Sequence, residues 1–188
     1  MKNIFNLLMV VVLWWPGIGH SAAQKYTQLE TGAGSWEIYS AGVTFSLTQI
    51  LPDQVKAFYV NRGFTLEQIR DFERSCVYMT VLRNDNAPGT IHFISNDWLV
   101  QVNGKRQPLV PVSEWLERFE SAGISKAALV AFRWAQFPPE QSYEPGGDWN
   151  QGMLSMGLPP GSIFDVTARW DIDGKGFETT LKGIRCDR

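Results

Sequence analysis

Short strand patterns separated by turn residues recur along almost the whole chain, and they limit the folds it can adopt. In residues 164–172, apolar and polar side chains alternate from Phe164 to Ile172, which is typical of a half-buried strand. Asn103-Gly104 separates WLVQV from KRQPLV. This dipeptide favours a two-residue type I′ hairpin, because both central residues need a positive φ. About nine such segments predict a mainly β, antiparallel fold.

Only two segments show the signals of a helix. Thr65 and Gln68 form a capping box before LEQIRDFERS, and Ser113 precedes EWLERFESA, which ends before Gly123. The pattern predicts an antiparallel two-sheet β-sandwich with two short helical insertions. It resembles immunoglobulin-like sandwiches in architecture only, since the two cysteines stand 110 positions apart. With no repeat and no change in composition, residues 24–188 are predicted to form a single β-sandwich domain.

The apolar run at residues 127–137 is predicted to be a strand buried on both faces. Val130, Phe132 and Trp134 would lie on one face as core residues, and Arg133 would interrupt the other. A partly buried guanidinium needs acceptors. These are either structural ion pairs and carbonyl groups or an anionic ligand beneath the following loop. Arg133 is therefore a candidate anion-binding residue.

The first 23 residues have the pattern of a cleaved secretory signal. Lys2 precedes the nine-residue apolar run LLMVVVLWW, and Ser21-Ala22-Ala23 supplies small residues for cleavage before Gln24. A retained membrane anchor is the alternative, but a bilayer span needs roughly 20 apolar residues. We therefore expect a periplasmic or secreted protein, with no membrane insertion after cleavage.

Charge and cysteine content narrow the partners further. Without Lys2, 16 basic side chains stand against 19 acidic ones, a formal net charge of −3. Nucleic acid and anionic membrane surfaces are therefore unlikely partners, because their binding begins with a basic patch. Cys76 and Cys186 are the only cysteines, and in an oxidising compartment they are expected to form a disulfide.

No motif in the sequence indicates a catalytic or metal centre. His92 is the only histidine after the signal segment, which excludes sites built from several histidines, and no Gly-x-Ser-x-Gly turn is present. We expect no cofactor. Met153 and Met156, with His92 and Met79, remain weak candidates for a cuprous copper site, against the alternative that the methionines fill gaps in the core.

The long Pro- and Gly-rich segment at residues 137–163 is the best candidate for a working surface. A structureless connection of this length is uncommon in a compact domain, and NQGMLSM at residues 150–156 is predicted to be an extra strand. The prolines stiffen the path, while Tyr143 and Trp149 offer amphipathic contact area beside Asp148.

These observations predict an exported, non-catalytic binding or assembly module that contacts another exported or membrane-bound protein. Tyr143, Asp148 and Trp149 are the expected centre of the contact. One alternative is a carbohydrate-binding module that uses Trp149, Tyr143 and Trp36 as stacking platforms. An exported hydrolase that depends on His92 or a carboxylate such as Asp148, and a copper carrier, are further alternatives.

Overall fold

The computed structural model describes residues 23–187. This part of the chain forms eleven strands, four α helices and one short 3₁₀ helix at Ser95–Asp97. The strands are β1 (Gln24–Gln28), β2 (Gly34–Ser40), β3 (Val43–Gln49), β4 (Val77–Asn84), β5 (Ile91–Ile94), β6 (Leu99–Val102), β7 (Lys105–Pro108), β8 (Glu140–Tyr143), β9 (Asp148–Ser155), β10 (Ile163–Ile172) and β11 (Lys175–Arg185). The helices are α1 (Pro52–Val60), α2 (Leu66–Glu73), α3 (Val112–Ser121) and α4 (Lys126–Ala135).

The strands form two antiparallel sheets, which confirms the predicted β-sandwich. The first sheet has the order β1-β2-β3-β4-β9, and the second has the order β7-β6-β10-β5-β8 with β11 also paired to β10. β5 and β6 pair with different parts of β10, at His92 opposite Asp171 and at Val100 opposite Val166. They therefore act as one strand interrupted by the 3₁₀ helix, and β11 occupies the other edge of β10.

The main core lies between the two sheets. The predicted alternation in β10 is confirmed, since Phe164 through Ile172 are buried at every second position. Trp98 is fully buried at the centre, where its indole N–H donates to the carbonyl of Arg169 at 2.9 Å. Its ring lies 5.2 Å from Phe45 on the opposite sheet, centroid to centroid. This packing joins the sheets through large aromatic side chains.

A second core lies between the helices and the outer face of the first sheet. Phe72, Phe119 and Phe132 pack together from three helices, with Phe119 and Phe132 only 4.8 Å apart between centroids. Val77 and Met153 are the sheet residues of this cluster. The helices therefore cover only part of the sheet, at the end of β9 that carries Met153.

The predicted strand at residues 127–137 is wrong, because residues 126–135 form helix α4. Ser125 caps the helix by accepting a hydrogen bond from the Ala128 N–H at 3.3 Å. Ala128 and Phe132, one turn apart, face the core, whereas Trp134 is 84% exposed. The two predicted helices are confirmed, at α2 and α3, and α1 and α4 were not predicted as helices.

The long segment at residues 137–163 contains two strands. β9 confirms the strand predicted at 150–156, and β8 adds a short edge to the second sheet. Before β8, the main chain at Gln136 and Phe137 runs beside β9, and the Phe137 N–H donates to the Met153 carbonyl at 2.9 Å. The segment is thus mostly part of the sandwich rather than a free loop.

Two further predictions are confirmed locally. Asn103 and Gly104 have φ angles of 50° and 76°, as the hairpin between β6 and β7 requires. Cys76 and Cys186 form a disulfide that joins the start of β4 in one sheet to the end of β11 in the other. Closing so long a loop stabilises the fold by about 2–4 kcal/mol, mainly by restricting the unfolded chain.

Within residues 23–187, no helix combines the length and the apolar character needed to span a bilayer. The disulfide is compatible with an oxidising compartment. The predicted signal segment falls almost entirely outside the described residues.

Candidate binding surfaces

Tyr143 does not belong to an exposed surface, and its prediction as a contact residue is wrong. Its side chain is 2% exposed and packs between the sheets against Phe93, with 5.5 Å between ring centroids. Burial raises the pKa of its hydroxyl, and nearby Asp148 adds to the effect. The alternation in β8 explains the outcome, because Tyr143 pairs with buried Ile91 on the inner face of the sheet. Trp36, 3% exposed, is also a core residue rather than a stacking platform.

Asp148 and Trp149 lie on the surface at the start of β9, as predicted. Asp148 Oδ2 accepts the N–H of Glu144 at 3.1 Å and thereby closes the turn between β8 and β9. Trp149 is 49% exposed. It lies on the outer face of the first sheet, beyond the part covered by helices, because Met153 on the same face is four residues farther along β9.

Trp149 is one end of a row of side chains that crosses four strands. The pairing register places Tyr39, Thr44, Arg83 and Trp149 side by side on the outer face. We call these four residues the sheet surface. With strands roughly 4.8 Å apart, the two aromatic residues are separated by roughly 14 Å.

Hydrogen bonds from the turn after β4 organise the sheet surface. Asp85 accepts from Arg83 Nε and from the Thr44 hydroxyl, each at 2.5 Å. The Tyr39 hydroxyl donates to Asn86 Oδ1 at 2.5 Å. The surface is therefore an ordered arrangement of two half-exposed aromatic rings with a guanidinium between them.

A second surface lies on the outward side of α4, where the sequence predicted a buried strand. Val130 and Trp134, one turn apart, are 54% and 84% exposed. The helix carries two basic residues, Lys126 and Arg133, and no acidic one. We call Val130, Arg133 and Trp134 the α4 surface.

Arg133 also lines a groove between α3 and the linker that follows α4. The groove has a volume of about 180 Å³. Its apolar walls are Pro111, Val112, Leu116, Phe137, Pro138 and Pro139. Asn96, Ser113 and Gln136 add polar groups, and among the described residues Arg133 is the only charged one that lines the groove. The sequence hypothesis of an anion-binding Arg133 beside the long segment thus keeps a structural basis, although the residue is exposed on a helix instead of partly buried in a strand.

His92 lies on the outer face of the second sheet between two carboxylates. Its Nε2 is 2.9 Å from Glu140 Oε1 on β8, and its Nδ1 is 3.1 Å from Asp171 Oδ2 on β10. Glu140 and then Asp171 raise the pKa of the imidazole above its ordinary value of 6.5. Both ring nitrogens therefore contact carboxylates, whereas a general base for hydrolysis needs one nitrogen that faces the nucleophile.

We predict that the contribution of His92 to stability depends on pH. Because the pKa is raised in the folded protein, the contribution is fully present below about pH 6.5 and is lost as the pH rises through the folded-state pKa. Urea unfolding of the native chain and of His92→Gln at about pH 5.5 should show a larger stability difference than at about pH 8.5. An equal difference at both values would mean that the ion pairs contribute nothing.

Of the four proposed copper ligands, Met79 and Met153 lie opposite each other on β4 and β9, but Met156 and His92 lie elsewhere in the fold. Met153 packs in the helical core, where its sulfur accepts from the Tyr59 hydroxyl at 3.3 Å, and Met156 packs between the sheets. His92 lies on the outer face of the other sheet. In residues 23–187 no group of three or more His, Cys, Asp and Glu side chains is arranged to bind a metal ion. Met153 and Met156 act as core residues, which was the alternative interpretation.

The sequence patterns did not predict that Tyr39, Arg83, Val130 and Trp134 belong to exposed candidate surfaces. Arg83 and Trp149 become neighbours only through the pairing of β4 with β9, which the sequence pattern does not specify. For Trp134 a signal was present, namely Ser125 followed by a run rich in alanine, which favours a capped helix.

Comparison of the chain with models of protein families, with curated proteins and with solved structures found no match. What the fold and its surfaces define is a disulfide-linked, two-sheet β-sandwich with a helical layer on one sheet.

Proposed function

We propose that this chain is an exported, non-catalytic module that binds another exported or membrane-bound protein through its α4 surface. The observation that carries the proposal is the exposure of Trp134, which is 84% exposed, beside half-exposed Val130. Single exposed apolar residues are ordinary on protein surfaces, but tryptophan and arginine are enriched among the residues that dominate binding energy at interfaces. The α4 surface carries both, on a helix.

The packing of α4 on the helical core favours binding without rearrangement of the helix. Its opposite side packs through Ala128 and Phe132, both fully buried, into the helical core. A side chain presented from a rigid helix loses less conformational freedom on binding than one on a free loop. This proposal moves the centre of contact from Tyr143, which lies in the core, to the helix that leads into the same long segment.

The proposal of export rests on the signal pattern in residues 1–23 and on the Cys76–Cys186 disulfide. A periplasmic or secreted location is part of the same proposal. Edman sequencing of the mature protein is expected to begin at Gln24.

Photo-crosslinking in the native host tests the proposed contact. A photoreactive amino acid is placed at position 134, at position 149 on the sheet surface, and at exposed Lys105 on β7 as the control. We expect position 134 to capture one dominant exported or membrane protein that Lys105 does not capture. Capture from position 149 alone would move the contact to the sheet surface, and capture from neither position in correctly exported protein would overturn the proposal.

A second candidate function, glycan binding, is favoured by the sheet surface. Two half-exposed aromatic rings on one face of the first sheet, with Arg83 between them, match the stacking and hydrogen-bonding needs of a sugar chain. The spacing of roughly 14 Å between Tyr39 and Trp149 suits an oligosaccharide rather than a monosaccharide. A glycan array should then give hits that Trp149→Ala and Tyr39→Ala each remove, and an array without hits would dismiss this function.

A further inference from the structure

We propose that the groove beside α4 binds the carboxyl terminus of a protein partner whose last residue is apolar. This inference rests on the proposed protein-binding function, because it identifies which part of the partner the α4 surface recognises. It assigns Arg133 to the terminal carboxylate and the apolar walls of the groove to the last side chain.

The size of the groove sets the class of ligand. Its volume of about 180 Å³ is smaller than the roughly 300–1,000 Å³ of sites that enclose whole drug-sized molecules. Pro111, Leu116 and Pro138 are among the apolar residues that line it. The groove therefore fits one aliphatic or aromatic side chain, not an entire metabolite.

The charge of the groove selects the rest of the ligand. Arg133 is the only charged lining residue, and it takes part in none of the ion pairs found within residues 23–187. A guanidinium binds a carboxylate through two parallel hydrogen bonds. Its helix has no acidic residue that would compete for it.

A chain terminus combines these two features on one residue. In a C-terminal Leu, Phe or Val, the carboxylate and the apolar side chain branch from the same Cα atom, so both can reach one small site. Within a chain, an apolar residue has no carboxylate. Exposed Asn96 and Ser113 at the groove supply donors and acceptors for the last peptide groups.

The linker that forms one wall is fixed from both sides. The Phe137 N–H donates to the Met153 carbonyl at 2.9 Å, and the Pro139 carbonyl accepts from the Ser95 N–H at 2.8 Å and from the Ser95 hydroxyl at 3.2 Å. Gln136 Nε2 donates to the Tyr59 hydroxyl at 2.7 Å. The groove therefore exists before a ligand binds, which lowers the entropic cost of binding.

Fluorescence anisotropy with labelled hexapeptides tests the inference on the full mature chain. The probes are Ser-Gly-Ser-Gly-Ser-X with X as Phe, Leu or Asp, each as the free acid and as the C-terminal amide. We expect the acids that end in Phe or Leu to bind. Their amides and the Asp peptide should bind at least about tenfold more weakly, because the amides lack the carboxylate for Arg133 and the Asp peptide lacks the apolar side chain. Equal binding of acid and amide, or no binding at millimolar peptide, would overturn the proposal.

Two variants of the same helix separate the groove from general charge. Arg133→Ala should weaken binding of the free acids about tenfold or more, and Lys126→Ala, which removes the same charge outside the groove, should leave it unchanged. Thermal unfolding of both variants checks that each is folded. Loss of binding in both variants would indicate non-specific attraction and would contradict the assignment of Arg133.

Three further outcomes identify which proposal fails. If decanoate displaces the peptides as effectively as the unlabelled Phe peptide does, the groove is a site for fatty acids and the assignment to a protein terminus is wrong. If the peptides fail to bind but position 134 still captures a partner, the inference on the groove fails while the proposed function stands. If the peptides bind with the expected selectivity but position 134 captures nothing, the proposed α4 contact fails and the groove assignment stands.

Discussion

Replacing Gly152 by alanine is expected to lower the free energy of unfolding by about 2–3 kcal/mol, at the upper end of the usual cost of overpacking. A Cβ atom at position 152 would lie 2.3 Å from the backbone nitrogen of Phe137 and 2.4 Å from the carbonyl carbon of Gln136. These are main-chain atoms fixed by the hydrogen bond from Phe137 to Met153, so they cannot move aside as the end of a flexible side chain would. Urea unfolding of the native chain and the variant measures the loss.

Gly176→Ala is the matched control for this substitution. Gly176 also lies in a strand, at the start of β11, but a Cβ atom there would meet nothing within 4 Å. Its stability should change by less than about 0.5 kcal/mol. If the two variants lose the same stability, the cost comes from adding a methyl group to any strand glycine, and the close contact with Gln136 and Phe137 is not responsible.

Gly152→Ala should also weaken peptide binding at the groove beside α4. Gln136 and Phe137 line that groove, and they are the residues that the new Cβ atom would displace. We therefore expect peptide binding to fall even under conditions in which the variant is fully folded. Peptide binding equal to that of the native chain would show that the linker shifts without changing the groove.

The β-sandwich could be predicted because its signals are local. The alternation in residues 164–172 identifies a strand with one buried face. Asn103-Gly104 identifies a hairpin, because the turn requires positive φ angles that few other dipeptides adopt. Both features depend on a few neighbouring residues. They can therefore be recognised from the sequence even when it is not known which strands pair.

Helix α4 could not be recognised from apolar content alone. A continuous apolar run of this length fits a strand buried on both faces as well as a helix packed on one side. Val130 is the only β-branched residue in the helix, whereas four of its ten residues are alanine. Helix propensity and the cap at Ser125 were thus the informative signals, and hydrophobicity was misleading.

The candidate site could be predicted only where exposure follows from a local pattern. Asp148 and Trp149 are on the surface as expected, at the uncovered end of β9. Tyr143 was misassigned because the pairing of β8 with β5 determines which face it occupies, and that pairing joins residues about fifty positions apart. The groove beside Arg133 depends on a linker packed against α3, a tertiary contact that no local pattern encodes.

Substitution by alanine should change stability very differently at two tryptophans, Trp98 and Trp134. Trp98→Ala is expected to destabilise the protein by about 3–5 kcal/mol, since it removes a fully buried ring and leaves the Arg169 carbonyl without its donor. Trp98 also contacts Phe93 and Phe137, with ring centroids 5.7 Å and 5.5 Å away. The cavity would therefore open at the centre of the sandwich, where the surrounding aromatic side chains cannot collapse to fill it.

Trp134→Ala should change stability by less than about 0.5 kcal/mol, because Trp134 is 84% exposed and makes little packing contact to lose. Urea unfolding of both variants gives the comparison. A loss of 3 kcal/mol at Trp134 would place it in the core, as a strand at residues 127–137 would have required, and would remove the basis of the α4 surface. Capture of the partner is also measured in Trp134→Ala, from a photoreactive residue at position 130. If stability changes little and capture disappears, this tryptophan serves binding. A side chain that contributes nothing to folding can reduce capture only through the contact it makes.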